Sequence, residues 1–145
     1  IGYKPITMRL SVYRRAHFNA AHRIYNPAWD DAKNEAVFGL CNNPYFHGHN
    51  YELEVCVTGE VDPQTGYVYD LGKLQQIIET EVEKKLDHKN LNLQVPEFQT
   101  MIPSAEHICY LIYTWLRQHI ENEYDIRVRL WETPRNSVCF PPENH

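Results

Sequence analysis

The stretch C-N-N-P-Y-F-H-G-H-N-Y, from Cys41 to Tyr51, sets two imidazoles two residues apart and a thiol six residues before the first. In an extended segment residues i and i+2 share a face. His47 and His49 can therefore converge on one metal ion while Gly48 keeps the opposite side open. A third ligand must come from elsewhere in the chain, and His22 is the best candidate. Three neutral imidazoles with one open position are the usual catalytic zinc arrangement, whereas a fourth ligand from Cys41 would close a structural site. A site without metal is the third reading. A thiol close to zinc but not bound to it would be an electrostatically stabilised base or nucleophile.

Two further groups could do chemistry. Asp87-His88 pairs a carboxylate with an imidazole just past a helical pattern, and such a pair could exchange protons with Cys41. Glu132 continues the apolar parity of a strand-like run, where a carboxylate must meet a donor. A flat heterocycle with an amino group and a ring N–H offers two parallel donors that match it. Glu106, at a helix start, either favours the helix dipole or approaches the same ligand.

The elements that must position these residues follow from periodicity. Residues 7–20 alternate, with Met8, Leu10, Val12, Ala16, Phe18 and Ala20 on one parity, and His22 falls on that parity just past the end. A bulge near Arg14 is expected. Asp30 to Gly39 reads as a short helix with an acidic start and a glycine stop, inside a connection long enough to carry function. From His47 a second strand carries Tyr51, Leu53, Val55 and Val57 on the histidines' face. Asp70 caps an amphipathic helix whose stripe runs from Leu71 to Leu86, and another helix begins at Pro103-Ser104. Tyr124 to Leu130 and Ser137 to Phe140 supply two last strands. The order strand, strand, helix, helix, strand, strand predicts an α+β fold: a four-stranded antiparallel sheet with two helices on one face. The other face is mixed (Tyr13, Arg15, Glu52, Cys56, Arg129) and the edges are open, which points to assembly.

At 145 residues the chain fits a single domain, residues 1–145. A net charge of -5, from 14 basic and 19 acidic residues, with no basic stripe, argues against a general nucleic-acid binder. No run suits a membrane span and no signal-peptide pattern stands at the start. Of the cysteines, Cys56, Cys109 and Cys139 lie in apolar runs and read as buried thiols in a reducing compartment; Cys41 lies in a turn.

Taken together, F-N-A-A-H (Phe18 to His22), C-N-N-P-x-x-H-G-H-N-Y, L-D-H-K-N-L (Leu86 to Leu91), P-S-A-E-H (Pro103 to His107) and W-E-T (Trp131 to Thr133) resemble the 6-pyruvoyltetrahydropterin synthase family of tunnelling-fold pterin enzymes, over nearly the whole chain. The resemblance implies His22, His47 and His49 as ligands of Zn2+, Cys41 as catalytic cysteine, and Asp87 with His88 as the rest of its proton relay. It implies Glu132 as anchor of the pterin ring, with Glu106 and Ser104 near the same pocket. The implied reaction converts 7,8-dihydroneopterin triphosphate to 6-pyruvoyl-tetrahydropterin and eliminates triphosphate. The implied assembly is a cytoplasmic homohexamer of two stacked trimers, sheets joined into a barrel and active sites between subunits. Related 6-carboxy-tetrahydropterin synthases of queuosine biosynthesis typically place their cysteine four residues before H-G-H, so the spacing here resembles the pyruvoyl-forming type. They remain the alternative enzyme reading, and a non-enzymatic zinc protein with one cysteine and three histidines is the alternative outside enzymes. Two departures from the family pattern stand out: Tyr45-Phe46 replaces a small Asn-Gly pair next to the metal, and Ser104 replaces a threonine. Arg14, Arg15 and Lys89 are candidate triphosphate contacts by charge and position.

Overall fold

The computed structural model describes residues 2–143. Strand β1 (Arg9–His22) and strand β2 (His47–Glu60) are the long central pair. Between them lie helix α1 (Asp31–Phe38) and a 3₁₀ turn (Gly39–Asn42). Helix α2 (Leu71–Ile78) passes through a π-helical turn (Glu79–Glu83) into α3 (Lys84–Leu86). A two-residue strand β3 (Lys89–Asn90), helix α4 (Leu91–Gln94), a 3₁₀ turn (Pro96–Gln99) and helix α5 (Ala105–Arg117) follow. Strands β4 (Asp125–Thr133) and β5 (Asn136–Phe140) complete the fold.

The sheet has five strands in the order β3-β1-β2-β4-β5, and β3 runs parallel to β1. The expected four-stranded antiparallel sheet is thus corrected to a five-stranded mixed one. The added strand arises because the backbone after α3 doubles back on β1: the His88 N–H donates to the Asn19 carbonyl at 2.6 Å. His88 reaches this bond with a positive φ of 59°, a left-handed turn that no periodicity reveals.

The β1–β2 register is unbroken from Arg9↔Glu60 to His22↔His47. No bulge occurs at Arg14, and His22 is the last residue of its strand, directly opposite His47. The irregularity lies instead between Trp131 and Thr133, where β4 slips against β5. Glu132 is the extra residue at this bulge.

Alternation settles the layers. Phe18, Ala20 and His22 of β1, Tyr51, Leu53, Val55 and Val57 of β2, and Ile126, Val128 and Leu130 of β4 are all buried beneath the helices. Helix α5 adds Ile108, Leu111, Ile112, Trp115 and Leu116 along one stripe, the spacing of an apolar helix face. Its N-terminus is capped by Ser104, whose hydroxyl accepts from the His107 N–H at 3.2 Å. Asp30 caps α1 through the Lys33 N–H at 2.8 Å, and Gly39 ends it with φ 56°. Among the described residues no helix is long and apolar enough to cross a membrane.

Candidate metal centre and adjoining cavities

His22, His47 and His49 come together at the end of the β1–β2 ladder. One ligand atom from each lies within 4.8 Å of the others, and the rings meet edge to face with centroids 4.5, 5.1 and 4.9 Å apart. Register explains the convergence: His22 faces His47 across the ladder and His49 lies two residues along the same face.

His22 Nε2, His47 Nδ1 and His49 Nε2 are buried without a hydrogen-bond partner. Orphaned buried polar atoms are rare because each costs free energy to desolvate. Three of them pointing at one another fit a shared metal ion. His22 Nδ1 donates to the Pro103 carbonyl at 2.8 Å. That bond orients the ring and leaves the Nε2 lone pair free, as metal-ligating histidines commonly require. Its pKa is lowered to about 4, chiefly by burial, with His47 and His49 adding to the effect and the Pro103 carbonyl opposing it. Burial, then His49, also lowers the pKa of His47. Neutral imidazole is the form that ligates a metal.

Glu132, carried by the bulge, brings a carboxylate oxygen to 3.9 Å from His22 Nε2. It lines an open cavity of about 510 Å³ with His49, Trp131 and Arg15. Arg15 is held there by Glu54 at 3.3 Å, its guanidinium 4.6 Å from the Trp131 ring centroid. Beneath the cluster Tyr51 sets its hydroxyl 3.4 Å from His22 Nδ1. Burial, then the Glu132 charge, raises the Tyr51 pKa, so the phenol stays protonated.

Asp87 and His88 do form a pair, with Oδ2 3.0 Å from Nδ1. Asp87 Oδ1 accepts the Asn19 N–H at 2.9 Å. This bond is the main reason its pKa lies below the ordinary carboxylate value, with His88 contributing. The pair is therefore latched to β1 through both the N–H and the C=O of one residue, Asn19. His88 remains 77% exposed and lines a second cavity, of about 500 Å³, with His49.

Cys41 stands on the 3₁₀ turn, exposed, and outside the histidine cluster. Its backbone is fixed: the Ile24 N–H donates to its carbonyl at 2.8 Å. Arg23 also clamps the next residue, donating from Nε to the Asn42 carbonyl at 2.8 Å and from Nη2 to Asn42 Oδ1 at 3.1 Å. Buried Asn42 ties this turn to Arg23, and the sequence hints at it only through its place in C-N-N-P. The Pro103 carbonyl and the Asn19 peptide left no signal, because backbone partners carry none.

Of the remaining candidates, Ser104 and Glu106 sit at the start of α5, next to the Pro103 carbonyl that holds His22, and neither lines the Glu132 cavity. Tyr45 is 89% exposed and Phe46 has φ 71°. That backbone suits glycine better than an aromatic residue, so the Tyr45-Phe46 departure carries local strain beside His47.

An α+β sheet with a three-imidazole centre at the end of its two longest strands, and a carboxylate reaching the same centre from a bulge, defines a candidate metalloenzyme acting on a small polar ligand. Comparison with known proteins narrows this class. The family model described as 6-pyruvoyl tetrahydropterin synthase matches residues 11–143. A human 6-pyruvoyl tetrahydrobiopterin synthase is 39% identical over 132 residues, covering 91% of each chain. The Drosophila melanogaster protein of that name is 39% identical over 128 residues, covering 88% of this chain and 76% of its own. The structure of Caenorhabditis elegans 6-pyruvoyl tetrahydropterin synthase superposes with a TM-score of 0.86 at 35% identity, covering 92% of this chain and 95% of that one. This chain belongs to the 6-pyruvoyl tetrahydropterin synthase family.

Proposed function

We propose that the chain converts 7,8-dihydroneopterin triphosphate to 6-pyruvoyl-tetrahydropterin, eliminating triphosphate, with Zn2+ held by His22, His47 and His49. The observation that carries the reading is the trio of orphaned imidazole nitrogens with the Glu132 carboxylate 3.9 Å from one of them. A metal-binding end and a carboxylate able to read an amino heterocycle thus face one cavity. Bound zinc would supply Lewis acidity to the hydroxyls of the substrate's three-carbon arm. Glu132 holds the ring so that the arm reaches the centre, a positioning contribution. Cys41, as thiolate, removes a proton from a carbon of the arm. His88, its tautomer set by Asp87, returns protons as triphosphate departs and the enol product becomes ketone. The hydrogens gained by the ring come from the arm itself, so no nicotinamide is needed.

Cys41 lies outside the histidine cluster, which favours this role over that of a fourth ligand in a structural site. Both sheet edges support assembly: β3 pairs only with Ala20 and Ala21 of β1, and β5 is the far edge. Long unpaired edges call for covering, and joining them gives the barrel of a homohexamer, two stacked trimers with sites between subunits. Free cysteines at Cys41, Cys56, Cys109 and Cys139 support a reducing, cytoplasmic setting.

The test is incubation of the zinc-loaded protein with dihydroneopterin triphosphate and identification of the product by mass. The expected product is the pyruvoyl pterin. Acetaldehyde with a carboxylated pterin would assign the 6-carboxy-tetrahydropterin synthase activity instead. Cys41→Ala should keep zinc and lose turnover; loss of zinc would return the thiol to the ligand set.

A further inference from the structure

Arg23 is the first residue past β1, next in the chain to His22, and it is tied to two segments far from it in sequence. The Asn92 side chain of α4 grips both of its main-chain groups. The Arg23 N–H donates to Asn92 Oδ1 at 2.8 Å, and Asn92 Nδ2 donates to the Arg23 carbonyl at 2.9 Å. Because β3 pairs with β1 only at Ala20 and Ala21, this amide stands in for a further rung of the ladder and fixes the backbone just beyond His22. The guanidinium lies 4.1 Å from the Tyr25 ring centroid, a stacking contact that restricts it further.

The guanidinium so placed reaches Asn42, nineteen residues further along. Nε and Nη2 take the carbonyl and Oδ1 of that one buried residue, at 2.8 and 3.1 Å. With the Ile24 N–H on the Cys41 carbonyl at 2.8 Å, three hydrogen bonds run from residues 23–24 to residues 41–42. The exposed Cys41 thiol rides on the clamped turn. A planar fork of donors suits two acceptors of one residue, and a lone ammonium cannot reproduce it. The rest of the same connection is held independently: Asn34 accepts the Asn26 N–H at 2.7 Å and donates to the Asn26 and Asp30 carbonyls at 3.0 and 3.2 Å.

We propose that Arg23 is a positioning residue: its clamp on Asn42 holds the Cys41 turn at a set place relative to His22, so that the thiol meets a substrate arm bound at the histidine centre. This assignment rests on the synthase reading, in which Cys41 removes the proton. Arg23 acts through Asn42 and the Cys41 backbone and needs no contact with substrate. Cys41 and the three histidines belong to one chain, so the clamp works within a protomer whichever subunit completes the site. Its leverage is geometric, since a misplacement of about 1 Å can cost about 10²-fold in rate.

The experiment compares wild type, Arg23→Ala, Arg23→Lys and Asn34→Ala by zinc content, steady-state kinetics and fluorine NMR. For the NMR a trifluoroacetonyl group is placed on Cys41 in a Cys139→Ser background, Cys56 and Cys109 being buried. Arg23→Ala should keep its zinc and lower kcat about 10- to 100-fold, with KM little changed. The single resonance of wild type should broaden or split. Arg23→Lys should show the same pattern, because it keeps the charge and loses the fork; it carries the test should Arg23→Ala fail to fold. Asn34→Ala loosens the same connection away from the turn, so it should lower the unfolding temperature while kcat and the resonance stay as in wild type. An unchanged kcat and resonance in the Arg23 variants overturns the proposal, as does an equal loss in Asn34→Ala. So does a raised KM at constant kcat, which would put Arg23 in contact with substrate, or a loss of zinc, which would make it a support of His22. Failure of the synthase reading is separate: it appears as no turnover by wild type, while the resonance needs no substrate and still reports whether Arg23 fixes the turn.

Discussion

Acidifying the metal-free protein should unload one identifiable quantity of stability from His22. The side chain is 1% exposed, and burial lowers its pKa from 6.5 to about 4. In the unfolded chain the imidazole takes up a proton near pH 6.5; in the folded chain it resists until near pH 4. Between those values the unfolded state binds more protons, so stability falls as pH falls. The loss begins near pH 6.5, proceeds at up to about 1.4 kcal/mol per pH unit and levels off near pH 4, for about 3 kcal/mol in total. Carboxylates titrate over part of the same range, so a reference chain is required. His22→Gln has no titrating ring and serves as that reference. Urea unfolding by circular dichroism, at one fixed chain concentration and several pH values from 7 to 4, gives the difference between wild type and variant. That difference should shrink by about 3 kcal/mol across the window. A difference that changes by less than about 1 kcal/mol would refute the claim that burial holds His22 neutral. Zinc added at pH 7 should stabilise wild type more than the variant, because the variant lacks one of the three imidazoles that would hold it.

Two further outcomes follow from particular contacts. Asp87→Asn keeps an acceptor for the Asn19 N–H but loses the charge facing His88 Nδ1 at 3.0 Å. Turnover should drop about 10²- to 10⁴-fold with zinc content intact; an unchanged kcat would remove the pair from the relay. Gly59→Ala sets a Cβ 2.8 Å from Tyr124 Cδ1, so thermal unfolding should show a loss of about 1–3 kcal/mol. Truncating Tyr124 in the same chain should make Gly59→Ala nearly neutral, and persistence of the full loss would sink the steric account.

The sequence by itself determined the trio of histidines that could hold a metal ion, and the layers. The i, i+2 spacing of His47 and His49 and the strand parity of His22 followed from local stereochemistry, which a linear pattern records. The helices over 71–86 and from Ser104 onward were legible for the same reason. Tertiary structure decided what depends on residues far apart in the chain. The unbroken ladder placed His22 opposite His47. The folded sheet brought Glu132, at the slip between Trp131 and Thr133, to 3.9 Å from His22 Nε2. The left-handed His88 made a fifth strand out of Lys89-Asn90 and latched the Asp87-His88 pair to Asn19. Each of these is a backbone event, set by register or by a hydrogen bond to a peptide group. Peptide groups are the same at every position, so their pairing is specified only when the whole sheet has closed.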